Sequence, residues 1–73
     1  MDPQATWQRL LDAYSQHDWA EAVEAAEDLL EWLRGGGFPP QTLPNLPMDE
    51  AWNRAIAHAA CRFVILERGS HTT

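Results

Sequence analysis

The fold is decided by residues 7–33, which read WQRLLDAYSQHDWAEAVEAAEDLLEWL. Apolar residues recur in this stretch at the i, i+3, i+4, i+7 spacing of an amphipathic helix, over one run and then over a second. The runs are Trp7, Leu10, Leu11 and Tyr14, and then Trp19, Ala22, Val23, Ala26, Leu29, Leu30 and Leu33. Only Gln16, His17 and Asp18 separate them, so the stretch predicts a helical hairpin with a tight turn and one buried face.

Helix boundaries are signalled around this hairpin. Asp2 and Asp18 are suited to cap the first and second helices, and Pro3 suits a first helical position, where its missing N–H costs nothing. Glu21 is spaced to complete a capping box with Asp18. The glycines at 35–37 favour the end of the second helix, because glycine adopts the left-handed cap conformation readily.

A third helix is expected after a connection rich in glycine and proline. We predict helix 1 over about residues 3–16, helix 2 over about 19–34, a loop over 35–47, helix 3 over about 48–67 and a frayed tail over 68–73. No segment alternates as a strand does. The sequence therefore predicts one small all-α domain, residues 1–73, of three helices.

The charge balance restricts the class of partner. Eleven acidic residues stand against five basic ones, all arginine, for a net charge of −6. This charge repels phosphate backbones, so we expect no direct binding to nucleic acid.

Cellular location is inferred from what the chain lacks. One cysteine cannot form an internal disulfide and fits a reducing compartment. No run approaches the roughly 20 apolar residues that cross a bilayer, and residues 1–4 have neither the basic nor the apolar region of a signal peptide. We expect a cytoplasmic protein that does not insert into a membrane.

Helix 2 has an acidic side, formed by Glu21, Glu24, Glu27, Asp28 and Glu31. This side is either a solvated outer face or a strip that meets arginine or lysine on a partner. Trp32 projects toward it, and an exposed tryptophan beside carboxylates is typical of an interface anchor. The alternative is that residues 38–40 fold back and cover the ring. The residues predicted to bind a partner are Trp32, Glu24, Asp28 and Glu31.

Helix 3 is apolar on two sides. The larger stripe is predicted to close the core and consists of Trp52, Ala55, Ile56, Ala59, Phe63 and Leu66. The smaller patch has little left to cover it in a chain of this length, except the loop or another molecule. We predict that it forms a homodimer interface, with Ala57, Cys61, Val64 and Ile65 as the self-association residues.

The hairpin resembles a tetratricopeptide repeat. The W-x2-L-G-x2-Y pattern of that family's first helix is matched by Trp7, Leu10 and Tyr14, with Leu11 in place of glycine. The family's second helix opens with an aspartate, an aromatic residue and Glu-Ala, as residues 18–22 do here. The turn is one residue shorter than usual, Ala26 stands where a larger aromatic is common, and Arg34 with the glycines replaces the closing proline.

Residues 7–33 carry this resemblance, and they contain one copy where such arrays need about three to share a core. The resemblance implies that helix 3 acts as a capping helix, or that two chains stack as neighbouring repeats do. It also implies a protein-interaction scaffold without catalysis.

No motif for catalysis or for a cofactor stands out. His58 and Cys61 are at i, i+3, but zinc sites need three or four ligands and nothing in the sequence completes the set. The glycine run follows a helix and lacks the Gly-Lys-Ser/Thr ending of a phosphate loop. We therefore expect no enzyme, no cofactor and no metal. The predicted function is a small acidic protein–protein interaction module that self-associates. The alternative is an acidic inhibitor or antitoxin-like decoy that occupies a basic surface on its partner.

Overall fold

Three helices make up the structure, a computed structural model that describes residues 1–71 and the side chains of residues 1–67. They are α1 (Pro3–Ser15), α2 (Trp19–Arg34) and α3 (Glu50–His71). No strand occurs within residues 1–71, so the prediction of an all-α, three-helix domain is confirmed. α2 is the central helix, because both α1 and α3 pack against it.

The predicted N-terminal caps are present. Asp2 Oδ1 accepts the backbone N–H groups of Gln4 at 3.0 Å and Ala5 at 3.2 Å, and Pro3 occupies the first turn of α1. Asp18 Oδ1 accepts the N–H of Glu21 at 3.3 Å. Each bond satisfies a donor that the start of a helix leaves without a partner.

The capping box predicted for Glu21 is replaced by an ion pair between α1 and α2. The Glu21 carboxylate lies 2.7 Å from Arg9 Nε, and Asp28 Oδ2 lies 3.3 Å from an Arg9 Nη atom. The N–H of Asp18, which the box would have satisfied, donates instead to Ala13 O at 2.9 Å. The turn thus satisfies its own donor and leaves Glu21 free to pair across the hairpin.

α2 ends at the glycine run, as predicted. Gly36 has φ +85°, the left-handed conformation that an L side chain rarely adopts. Its N–H donates to Leu33 O at 3.1 Å, and the N–H of Gly37 donates to Trp32 O at 3.0 Å. The Arg54 guanidinium of α3 also donates to Leu33 O, at 3.1 Å, and to Gly37 O, at 2.9 Å. The carboxyl end of α2 is therefore capped by its own loop and by α3.

α3 differs from its predicted bounds at both ends. It begins at Glu50 rather than 48, because Asp49 caps it by accepting the N–H of Trp52 at 2.7 Å. It continues to His71 through part of the predicted frayed tail, since Gly69 costs an established helix only about 1 kcal/mol. Residues 72 and 73 of that tail lie outside the described residues.

The loop between α2 and α3 is hydrogen-bonded to residues near the starts of α1 and α3. Gln4 and Gln41 bond reciprocally: the Gln4 amide donates to Gln41 O at 3.1 Å, and Gln41 N–H donates to Gln4 Oε1 at 2.8 Å. Thr42 N–H and Oγ1 both donate to Asn53 Oδ1, at 3.1 and 2.9 Å. α1 and α3 therefore start at the same end of the molecule, and both run antiparallel to α2.

The core takes the opposite side of α3 from the one predicted to close it. Its buried apolar residues are Trp7, Leu10, Ala13, Ala22, Val23, Ala25, Ala26, Leu29, Leu30, Leu33, Ala57, Cys61 and Val64. The assignment of the larger stripe to the core was wrong, because α2 and α1 already supply the bulky side chains. Small residues on α3 let it approach α2 closely.

Candidate interaction surfaces

The larger apolar stripe of α3 lies at the surface, and we call it the outer face of α3. It comprises Trp52, Ala55, Ile56, Ala59, Phe63 and Leu66. Trp52 is 42% exposed, Phe63 52% and Leu66 67%. The stripe covers roughly 21 Å of helix at 1.5 Å per residue. Large apolar side chains exposed in a continuous row are unusual on a monomeric surface.

Two polar residues determine which side of α3 points outward. Asn53 is buried, accepts both bonds from Thr42 and donates its amide to Met48 O at 3.1 Å. Arg54 binds the carboxyl end of α2. Both lie on the side of Ala57, so the bonds they make rotate the outer face away from α2. This polar pair is the signal in the sequence that our prediction missed.

The six residues of the outer face are all uncharged. The helical period places Arg54 on another side of α3, whereas Arg62, seven residues after Ala55, borders the face. One edge of it is supported by α1, because the rings of Phe63 and Tyr14 pack with their centroids 6.0 Å apart. The face is therefore held in place by its own chain while remaining open to solvent.

The residues predicted for self-association do not form a surface. Ala57, Cys61 and Val64 are buried, and Ile65 is partly buried against the core. A second chain cannot reach the first three while α3 packs on α2, so the assignment of Ala57, Cys61 and Val64 to an interface was wrong. Burial raises the pKa of the Cys61 thiol to about 12, which keeps it protonated and a poor nucleophile at neutral pH.

Trp32 is covered on one side, as the alternative interpretation proposed. Its Nε1 donates to Phe38 O at 2.8 Å, and the two rings meet edge to face with centroids 5.8 Å apart. The ring remains partly exposed and lines an open groove of about 620 Å³, together with Asp28, Glu31 and Arg9. Of the predicted partner-binding residues, this groove brings together Trp32, Asp28 and Glu31, while Glu24 lies outside it.

The acidic side of α2 is partly neutralised. Glu21 and Asp28 pair with Arg9. The other three carboxylates, Glu24, Glu27 and Glu31, are exposed on the outer side of α2 and have no ion pair within the described residues. Residues 1–34 hold eight acidic residues and two arginines, whereas residues 35–73 hold three of each. The net charge thus belongs to α1 and α2.

His58 and Cys61 gain no further ligand, and within the described residues no cluster of three or more histidine, cysteine, aspartate or glutamate side chains is placed to hold a metal ion. None of the helices, over the part of the chain described, combines the length and apolar character needed to cross a bilayer.

Compared with known proteins, the chain matches no family model, no curated protein and no solved structure.

Proposed function

We propose that this chain is a noncatalytic protein–protein interaction module that self-associates through the outer face of α3. The observation that carries the proposal is the exposure of Trp52, Phe63 and Leu66 in one uncharged row on a rigid helix. Buried aromatic anchors dominate the energy of protein interfaces. The resemblance of residues 7–33 to a tetratricopeptide hairpin favours the same class of function.

The charge distribution favours a second copy as the occupant of this face. A chain of net charge −6 should repel its own copies wherever acidic surfaces meet. Pairing through α3 avoids this, because the charge lies on α1 and α2. Three helix-to-helix distances of 8–10 Å would separate the two α2 axes by about 24–30 Å, several times the Debye length at physiological salt.

The size of the face sets the expected strength of association. A helix pair of about two heptads buries less than the 1,200–2,000 Å² of a standard stable interface. We therefore expect a reversible dimer that dissociates on dilution.

The test is absolute mass by light scattering and sedimentation equilibrium over a wide concentration range. The wild-type chain should approach twice the monomer mass as concentration rises. Trp52→Glu should weaken association by roughly tenfold or more, because it places a carboxylate at the interface. Ala20→Glu is the matched control, since it adds the same charge at an exposed position on α2.

Circular dichroism separates interface effects from folding effects in these variants. Trp52→Glu should retain the helical signal, since residue 52 is exposed. A wild-type chain that stays monomeric at every concentration would overturn the proposal. So would a dimer that Trp52→Glu leaves unchanged.

A second candidate function is favoured by the unpaired carboxylates of α2. Glu24, Glu27 and Glu31 form an exposed acidic strip without a partner among the described side chains, so the chain would act as an acidic decoy for a basic protein surface. Binding to a polylysine probe should then be strong at low salt and fall steeply as salt rises. The triple change of these glutamates to glutamine should abolish it, whereas Trp52→Glu should not.

A further inference from the structure

We infer that the two copies meet with their α3 helices antiparallel, related by a two-fold axis that passes beside Ala59. This inference rests on the proposed self-association through the outer face of α3. It goes further by specifying which side chains of the two copies touch.

The spacing of the outer face is that of a helix pair. Trp52, Ile56, Ala59, Phe63 and Leu66 follow one another at intervals of four, three, four and three residues. This is the spacing of the apolar seam in coiled helices, which pack at about 20°. Ala59 stands at the midpoint, with Trp52 seven residues before it and Leu66 seven after.

Antiparallel pairing about Ala59 matches side chains of unlike size. Trp52 of one copy meets Leu66 of the other, and Phe63 meets Ala55. The two alanines meet at the axis, where their small side chains let the helices approach closely. Each half of the interface then repeats the other, as a closed two-fold contact requires.

Parallel pairing would instead place each residue against its own copy. Trp52 would meet Trp52 at one end, which holds that end apart and leaves the alanine layer poorly filled. It would also align the two helix dipoles, whereas antiparallel helices oppose them favourably. It would bring Arg62 of one copy near Glu67 of the other, and ion pairs at a protein surface contribute little.

Charge exchange between two variants tests the orientation. Trp52→Glu and Leu66→Lys should each weaken self-association by roughly tenfold or more when alone. In an antiparallel heterodimer of the two variants, position 52 of each copy faces position 66 of the other. One such contact then joins the introduced glutamate to the introduced lysine, and the other is the native contact between Trp52 and Leu66. We expect an equimolar mixture to recover most of the wild-type dimer, identified as the mixed species by native mass spectrometry.

A second mixture reports the parallel arrangement. Trp52→Glu mixed with Trp52→Lys sets opposite charges together only if position 52 faces position 52. We expect this mixture to stay monomeric under conditions where the first recovers, with helical content unchanged throughout.

The outcomes separate this inference from the proposed function. If the wild-type chain dimerises and Trp52→Glu disrupts it, but only the second mixture recovers, the antiparallel arrangement is overturned and the outer face remains the interface. Recovery in neither mixture overturns the contact between positions 52 and 66. A wild-type chain that never dimerises overturns the proposed function itself.

Discussion

Trp32 and Gly37 show how a single hydrogen atom can determine a local structure. A Cβ at position 37 would lie 2.5 Å from Trp32 Nε1 and 2.6 Å from Cδ2, well inside van der Waals contact. The indole can therefore donate to Phe38 O only because residue 37 has no side chain. The glycine run ends α2, and its last member makes room for the ring.

Gly37→Ala should lower the free energy of unfolding by about 1–3 kcal/mol, because the indole must move and lose its bond to Phe38. Urea unfolding followed by circular dichroism measures the loss. Gly35→Ala is the matched control, since a Cβ there meets only ordinary contacts at 3.6 Å. It should change stability by less than about 0.5 kcal/mol. Equal effects at the two positions would contradict this account of the ring.

The buried thiol of Cys61 makes the stability of the fold depend on pH. This thiol has a pKa of about 12 in the folded chain against an ordinary value of 9.0, because burial disfavours the thiolate. The unfolded state releases the proton first, so the stability that Cys61 contributes is fully present below pH 9 and is lost as the pH rises toward 12.

Between pH 8 and pH 10 the free energy of unfolding should therefore fall by about 1 kcal/mol more in the wild-type chain than in Cys61→Ala. Parallel urea titrations of both proteins at the two pH values measure the difference. The alanine variant is less stable at pH 8 because it leaves a small cavity, so the comparison uses the change with pH. Identical changes in the two proteins would show that the thiol does not titrate as described.

Among the elements, the loop between α2 and α3 is the one that hydrogen-bonds to both outer helices. It contacts α1 through Gln41 and α3 through Thr42. Asn53 Oδ1 accepts hydrogen bonds from the backbone N–H and the hydroxyl of Thr42, and both residues are buried. The hydrogen-bonded pair of Thr42 and Asn53 thus helps to fix the rotation of α3 about its own axis, together with the small side chains of α3 that pack on α2.

Asn53→Ala should destabilise the fold by about 2–4 kcal/mol, because it leaves the buried N–H and hydroxyl of Thr42 without an acceptor. Thr42→Val removes only the hydroxyl and keeps the N–H bonded to Asn53 Oδ1, so it should cost less, about 1 kcal/mol. Urea unfolding of both variants measures the two losses. A smaller loss in Asn53→Ala than in Thr42→Val would contradict the assigned role of Asn53.

The hairpin and its boundaries could be predicted because their causes are local. Asp2, Asp18 and Gly36 act on groups within a few residues, and the period of residues 7–33 needs no distant information. The orientation of α3 could not be predicted by the same means. Both of its sides are apolar, and periodicity cannot say which one faces inward. The deciding contacts join Asn53 to Thr42 and Arg54 to Leu33, residues that are distant in sequence.

For the same reason the unpartnered apolar face of α3 was expected on the wrong side of that helix. The unpartnered apolar face exists, as the excess of apolar residues in α3 predicted. Periodicity places Trp52, Phe63 and Leu66 in the larger apolar stripe of α3, and the larger stripe is the one expected to close the core. The large side chains of the core instead belong to α1 and to Leu29, Leu30 and Leu33 of α2, and α3 contributes smaller side chains.

At the scale of the whole molecule, charge and apolar surface are segregated. The net charge of −6 lies in residues 1–34, and the outer face of α3 carries none of it. α2 carries much of this charge on its outer side, and its other sides pack on α1 and α3. One side of the domain is thus charged, while the other presents an apolar surface.

This segregation predicts a dimer that is insensitive to salt. Between about 0.1 M and 1 M NaCl the Debye length falls from about 10 Å to 3 Å, yet an uncharged interface has little charge interaction to screen. The dissociation constant should change by less than about threefold over that range, as measured by sedimentation equilibrium. A dimer that dissociates as salt rises would place charged residues in the contact.

The exposure of Trp52 has a further consequence for testing the proposed self-association. Of the four tryptophans, all within the described residues, Trp52 is exposed, whereas Trp7 is buried, Trp19 is half-buried and Trp32 is partly covered by Phe38. Its indole fluorescence is therefore the component most accessible to iodide in the dilute chain. As concentration rises, this fraction should become protected from quenching and its emission should shift to shorter wavelength. The protein thus carries its own optical reporter of whether the outer face of α3 is occupied.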